Sequence, residues 1–396
     1  GILDVDVCVE MGKSMFREKD YKHYRYFDKR WAFLRAVRKC LERGKDFGRF
    51  YLVGEKTCAA KDEQFVGGDL LRPVLASEPI FSAGKQPFRV RILPTISADV
   101  FNPRRLEEGK KNAYFDGHEF AEMSQARYNN SILADMTVLL DRDLERTIEQ
   151  ACPSLPHTCA LLQLWAHRRG FLTTKACAGG GLTAFMLKAI ALKVAQLGKV
   201  TAQTSPTRWF RYAIDFIRKG SMRQRTVTPA RLVLHSEVEV NVVAALDEWH
   251  VKELEQEALL AAKLLDSPFG AIDAFNGIAQ ALFKPYAPLP MSCRYDALAT
   301  VEYPVTTATR QIFHRRCFEA LTFALGSRVD SIMLCSSKTE ADQSNFLIAL
   351  KINPNTVNNR LTLCEDSNSA AAFASFWKHR ASVRQFKNGT IAQAVV

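Results

Sequence analysis

Acidic and apolar residues alternate along Ile2-Leu3-Asp4-Val5-Asp6-Val7-Cys8-Val9-Glu10. That two-residue period predicts a strand whose faces differ, with Asp4 and Asp6 on one face about 7 Å apart. The period then changes. Tyr24, Phe27, Trp31, Leu34, Val37 and Leu41 recur at helical spacing with Arg and Lys between them, and Gly44 closes that helix. A strand is expected over 47–53, with polar loops over 59–68 and 76–86. Phe88-Arg89-Val90-Arg91-Ile92-Leu93-Pro94 is a second clear strand, and 98–127 an irregular, charged connector. From Tyr128 the pattern is helical, with helices near 132–150, 157–169, 182–197 and 207–218, then a polar basic linker over 221–229. Gly179-Gly180-Gly181 lacks the Lys-Ser/Thr of a phosphate-cradling loop, so close packing of the following helix start is expected. Residues 231–246 alternate as a strand pair, and Val251, Leu254, Ala258, Ala261 and Leu265 give a helix face. Beyond a Pro-rich loop over 283–304, helices are expected over 309–325 and 370–379. Strands are expected over 329–335, 345–352, 383–386 and at the final Ala394-Val395-Val396.

Length and composition narrow the class. A chain of 396 residues, 47% apolar and 24% charged, holds two or three globular domains with real cores. Its net charge of +12 points to a polyanionic partner, most simply nucleic acid. Ten Cys without paired spacing suit a reduced, intracellular chain better than a disulfide scaffold. Cys152, His157 and Cys159 lie close together, but no second Cys/His pair stands at zinc-finger spacing, so no metal site is expected there. The longest apolar run, 182–197, is broken by Lys188 and Lys193, so no transmembrane helix and no membrane partner are expected. The chain opens without Met, inside a strand, as a piece of a longer protein would.

The two ends of the chain look alike. Asp4-Val5-Asp6-Val7 is matched by Glu237-Val238-Glu239-Val240, and Val90-Arg91-Ile92-Leu93-Pro94 by Leu350-Lys351-Ile352-Asn353-Pro354. Acid-x-acid before β-branched residues resembles the metal-binding strand of the nucleotidyltransferase fold. That superfamily takes a third carboxylate from a later strand shaped apolar-acid-apolar-apolar-Pro. Here the slot holds Arg91 in the first unit and Lys351 in the second. Nucleotidyl transfer needs carboxylates to hold the metal that carries the attacking and leaving oxygens. A cation at about 4 Å turns attraction into repulsion, a swing of several kcal/mol even at an effective dielectric near 20. Asp4, Asp6 and Arg91, and likewise Glu237, Glu239 and Lys351, therefore read as degenerate metal positions. No catalytic residue, metal or cofactor is expected. Arg91 and Lys351 either pair with the acids, the favoured reading, or touch phosphate directly.

With these residues in view, the chain resembles the Nrap family of nucleolar RNA-associated proteins. The resemblance is carried by Val5-Asp6-Val7, Lys19-Asp20, Tyr24-Arg25-Tyr26-Phe27, Lys29-Arg30, Arg91 and Pro94. In the middle it rests on Arg127-Tyr128-Asn129, Leu161 through Gly170, and Gly180 through Phe185. At the end it rests on Phe376-Trp377, Arg380, Arg384-Gln385-Phe386, Gly389-Thr390-Ile391 and Ala394-Val395-Val396. It implies an α+β chain in which two nucleotidyltransferase-like α/β domains, 1–127 and 223–396, flank a poly(A)-polymerase-like helical domain, 128–222. It further implies a non-catalytic nucleolar scaffold of the small-subunit processome, acting in pre-18S rRNA processing. The implied partners are pre-rRNA, a ribosomal-RNA-processing protein and casein kinase II. Asp4, Lys378 and Asn388 depart from the family pattern. Loop cations are the candidate RNA contacts: Arg104, Arg105, Lys110 and Lys111 in the connector, and Arg218, Lys219, Arg223 and Arg225 in the linker. Two alternatives stand beside this reading: an active template-independent nucleotidyltransferase using Asp4 and Asp6, and a protein-only interaction module.

Overall fold

The computed structural model describes residues 3–43, 50–52, 72–81, 86–114, 121–169, 182–223, 228, 230–246, 248–266, 295–302, 307–336, 345–359, 362–363, 370–385, 387 and 391–395. Gly44, Gly179 to Gly181, Arg225 and most of 283–304 lie outside them. The chain divides into two units, 1–286 and 287–396.

In the first unit the alternating stretch forms β1 (Leu3–Glu10). It pairs in parallel with β4 (Phe88–Thr95). β3 (Leu75–Ser77) runs antiparallel to β4, and β2 (Phe50–Leu52) antiparallel to β3, giving the order β1-β4-β3-β2. α1 (Arg25–Arg43) lies on this sheet, burying Leu34 against Phe50, Leu75 and Ile92. The entry to α1 is strained. His23 and Tyr24 are non-glycine residues with φ of 54° and 63°. Such a residue costs on the order of 1–3 kcal/mol and persists only where its surroundings hold it. Here the His23 amide donates to the Asn112 carbonyl at 2.8 Å and the Tyr24 amide to the Tyr128 hydroxyl at 3.1 Å.

The periodic stretches beyond residue 120 fold as helices. α2 (Ala121–Ala151) begins earlier than the period suggests, taking in the end of the expected connector. α3 (Leu155–Arg168), α4 (Ala184–Gln196) and α5 (Pro206–Arg218) follow. Thr183 and Ser205 cap α4 and α5, their hydroxyls accepting from the Met186 and Arg208 amides, and Pro206 occupies the first turn of α5. Trp165 and Trp209 are fully buried in the core these helices share.

Residues 231–246 correct the sequence reading. No strand pair forms. The alternation survives as burial, with Val238 and Val240 packed beneath α1 and α2 and Glu237 and Glu239 in solvent. The reason is side-chain competition for the backbone. Asn241 Oδ1 accepts from the Leu232 and Val243 amides at 3.1 and 3.2 Å. Asn130 of α2 closes a reciprocal pair with the Asn241 backbone at 2.7 and 3.0 Å. The chain that follows, α6 (Glu248–Asp266), buries Val251, Leu254, Ala258 and Ala261 in the helical core. Residues 230–266 therefore pack with the helices of the first unit.

The second unit holds β5 (Ala297–Glu302), α7 (Thr307–Leu325), β6 (Val329–Ser336) and β7 (Asn345–Ile352). It continues with β8 (Thr362–Leu363), α8 (Ala370–Trp377), β9 (Ser382–Gln385) and β10 (Ile391–Val395). β5-β7-β6 and β8-β10-β9 are antiparallel sheets. Phe346, Ala349 and Leu334 are buried on the first sheet and Phe318 on α7. The chain is thus α+β, its sheet strands preceding and following a run of helices in chain order. Among the described residues no helix is long and apolar enough to cross a membrane.

Candidate functional site

The parallel pairing of β1 and β4 puts Asp6 opposite Arg91. The two side chains form a bidentate pair, Arg91 Nε to Asp6 Oδ1 at 2.7 Å and Nη2 to Oδ2 at 2.8 Å. Both oxygens of the carboxylate meet the planar fork of the guanidinium, the strongest geometry such a pair takes. Asp6 remains partly open to solvent, at 42%, so the pair contributes modestly to stability. Its larger consequence is electrostatic. A divalent cation approaching Asp6 meets a fixed positive charge, a repulsion on the order of several kcal/mol before solvent screening. Asp4 stands two positions earlier on β1, in register with Arg89, and its side chain lies outside the described residues.

The cation and one acid of the second expected pocket each have a partner within their own unit. Lys351 lies on β7 of the second unit, while Glu237 and Glu239 belong to the first. Glu239 pairs instead with Arg231. Lys351 Nζ donates to Asp296 Oδ1 at 3.1 Å, and the Ile352 amide donates to Asp296 Oδ2 at 2.8 Å. The Ile352 amide and the Lys351 ammonium together hold the Asp296 carboxyl below its usual range. The acid facing Lys351 therefore comes from the residue before β5, which sequence reasoning missed.

Sequence reasoning also missed a buried polar centre beside β4. Asp135 of α2 accepts from Tyr26 Oη at 2.9 Å, from Arg30 Nη1 at 2.6 Å and from Arg72 Nε at 3.2 Å. Its backbone carbonyl accepts from the Ile96 amide at 3.1 Å, just past the end of β4. Burial, then the Asp135 charge, pushes the Tyr26 hydroxyl well above its ordinary pKa. The signal was available: Arg30 sits one turn after Tyr26 and one before Leu34, a charge in an apolar stripe. Nearby, burial works to raise the Asp20 carboxyl, but Lys29 and the Arg17 amide hold it below the usual range. Lys29 and Asp20 thus tie α1 to the loop before it, while Arg30 reaches Asp135.

The two basic clusters differ in kind. Arg104, Arg105, Lys110 and Lys111 are all exposed on the connector. Its backbone is held from below: Asn129 Nδ2 donates to the Glu107 and Lys110 carbonyls at 3.0 and 2.8 Å, and Asn112 Nδ2 to the Arg105 carbonyl at 2.7 Å. In the linker, Arg218 is paired with Asp215 at 2.5 Å. Arg223 meets both Glu255 oxygens through Nε at 2.8 Å. Lys219 is exposed. The linker's described arginines are therefore neutralised by the chain itself. Cys152 and Cys159 are buried in the helical core, where burial pushes the Cys159 thiol to about 11, while His157 is exposed. The three do not converge.

An α+β chain whose acidic strand is locked by an arginine from the neighbouring strand has relatives. Residues 1–150 match the family model described as Nrap protein domain 1, and residues 290–396 the model described as Nrap protein domain 3. The chain belongs to the Nrap family. It is 23% identical to "Nucleolar protein 6" of Homo sapiens, over 100% of this chain and 37% of that protein. It is 24% identical to "U3 small nucleolar RNA-associated protein 22" of Schizosaccharomyces pombe, over 98% of this chain and 38% of that protein. The chain thus spans well under half the length of these relatives. Among solved structures, "Structure of E. coli MS115-1 CdnC + ATP" matches at a TM-score of 0.38 and 13% identity, covering 71% of this chain and 77% of that one. "Crystal structure of mtPAP in complex with GTP" matches at 0.36 and 10%, covering 63% and 53%. Likenesses this slight carry no inference.

Proposed function

We propose that the chain is a non-catalytic part of the small-subunit processome, working in the nucleolus on pre-18S rRNA. The observation that carries the reading is the Asp6–Arg91 pair: a cation stands where a metal-dependent nucleotidyl transfer would need a carboxylate. The names of its relatives support a place in nucleolar RNA processing. In this reading the 1–127 segment keeps a nucleotidyltransferase-like shape without its chemistry. Pre-rRNA is held on the basic surface, and other processome proteins, among them a ribosomal-RNA-processing protein and casein kinase II, bind elsewhere. Of the candidate RNA contacts, Arg104, Arg105, Lys110 and Lys111 are favoured, because the described linker arginines are paired to acids.

Filter binding of pre-18S segments across a salt series tests this. Each phosphate contact releases counterions, so affinity falls steeply with salt. Replacing Arg104, Arg105, Lys110 and Lys111 together by Ala weakens binding on the order of tenfold or more, and lessens the log–log salt slope by about 3. A salt-independent affinity, or an unchanged slope in the variant, contradicts the reading.

A further inference from the structure

We propose that the connector and the strained turn before α1 form one site for single-stranded RNA, in which Tyr114 and Tyr24 stack on unpaired bases while the connector cations hold the backbone. The inference rests on the RNA-binding reading above and adds the form of the ligand and two residues. The His23–Asn112 hydrogen bond, 2.8 Å long, fastens the two segments together. Tyr24 follows one end of it by one residue and Tyr114 the other by two, and Lys111 immediately precedes Asn112. Tyr114 is 76% exposed and Tyr24 39%, the Tyr24 ring perpendicular to Tyr128 at a centroid distance of 5.2 Å and tilted to Phe27 at 6.2 Å. His23 and Arg25 are exposed on the same turn.

The surface is built to stay positive. Glu108, the acid that would offset the connector, is drawn inward to the Thr228 hydroxyl and the Asn241 amide at 3.2 and 3.3 Å. Glu107 is the other acid of that stretch, 4.0 Å from Lys110. Arg104, Arg105 and Lys111 have no ion pair among the described residues. The scaffold is also fixed in advance. Gln125 Oε1 accepts from the Asn112 and Ala113 amides at 2.9 and 3.0 Å, and Asn112 Nδ2 donates to Asn129 Oδ1 at 2.9 Å. Backbone charge neutralisation alone would serve a duplex as well. Exposed aromatic faces among the cations distinguish a single strand, whose bases are free to stack, from a duplex, whose bases are not.

The test measures affinities of the full chain for a labelled single-stranded RNA of about a dozen nucleotides, the length scale of such sites, and for the same sequence as duplex. Tyr114→Ala is expected to weaken single-strand binding by about 5- to 100-fold with the salt slope unchanged, since stacking releases no counterions. Tyr114→Phe keeps the ring face and is expected to bind as the parent does. An unchanged thermal transition in Tyr114→Ala shows that folding is not the cause. Equal binding of duplex and single strand, or an unaffected Tyr114→Ala beside a weakened four-cation variant, overturns the stacking site and leaves the broader reading intact. If poly-glutamate competes as well as RNA, the surface is a general polyanion site and this proposal fails. Absence of any RNA binding removes both readings.

Discussion

Asp135→Asn lowers the stability of the first unit by about 3–5 kcal/mol, the cost typical of removing one partner from a buried ion pair. The size follows from what the carboxylate serves. Arg30, 1% exposed, donates to it at 2.6 Å, Arg72 at 3.2 Å and the Tyr26 hydroxyl at 2.9 Å. The amide removes the charge that offsets Arg30 and turns a donor toward groups that are themselves donors. Water is excluded there, so nothing replaces the lost acceptor. Tyr26→Phe, which removes a single neutral donor, costs about 1 kcal/mol. Urea unfolding followed by far-ultraviolet circular dichroism separates the two variants. Equal midpoints would mean that the acid is not the keystone joining α1, α2 and the end of β4.

Trp209→Ala costs a comparable amount, about 3–5 kcal/mol, through a different mechanism: a cavity and not a stranded charge. Trp209 is fully buried, and its indole Nε1 donates to the Ala191 carbonyl of α4 at 3.3 Å. α5 packs against α3, α4 and α6, so the void opens where the helices meet. Trp209→Phe keeps most of the volume and is expected to lose less. The same urea experiment reads the difference. A Trp209→Ala midpoint matching the parent would place this residue outside the cooperative core.

Much of the architecture could be read along the chain because the signals were local. A 3.6-residue apolar period over 132–218 needs only one buried face to become a helix, and four helices appear there. The Asp6–Arg91 pair was legible for a related reason: a strand of alternating acids and a strand bearing alternating arginines can meet when they are neighbours. Residues 231–246 were not legible. Alternation reports that one side faces a core, and it is silent on whether the backbone bonds to another strand. That choice is made by Asn130 and Asn241, 111 positions apart. The Lys351 partner was not legible for a similar reason: Asp296 lies 55 positions away before a short strand with no acidic alternation. The apparent repeat of Asp4 to Val7 at Glu237 to Val240 was therefore a likeness of sequence alternation alone: the first is a strand with Val5 and Val7 exposed, the second an irregular stretch with Val238 and Val240 buried.

In the proposed reading Arg91 holds Asp6 and keeps a divalent cation from serving there. Labelled nucleotide incorporation into RNA, run with Mg²⁺ and with Mn²⁺ and compared with Asp6→Ala, tests it most directly. The predicted result is no incorporation above the Asp6→Ala background with either ion. Incorporation by the parent chain that disappears in Asp6→Ala would contradict it.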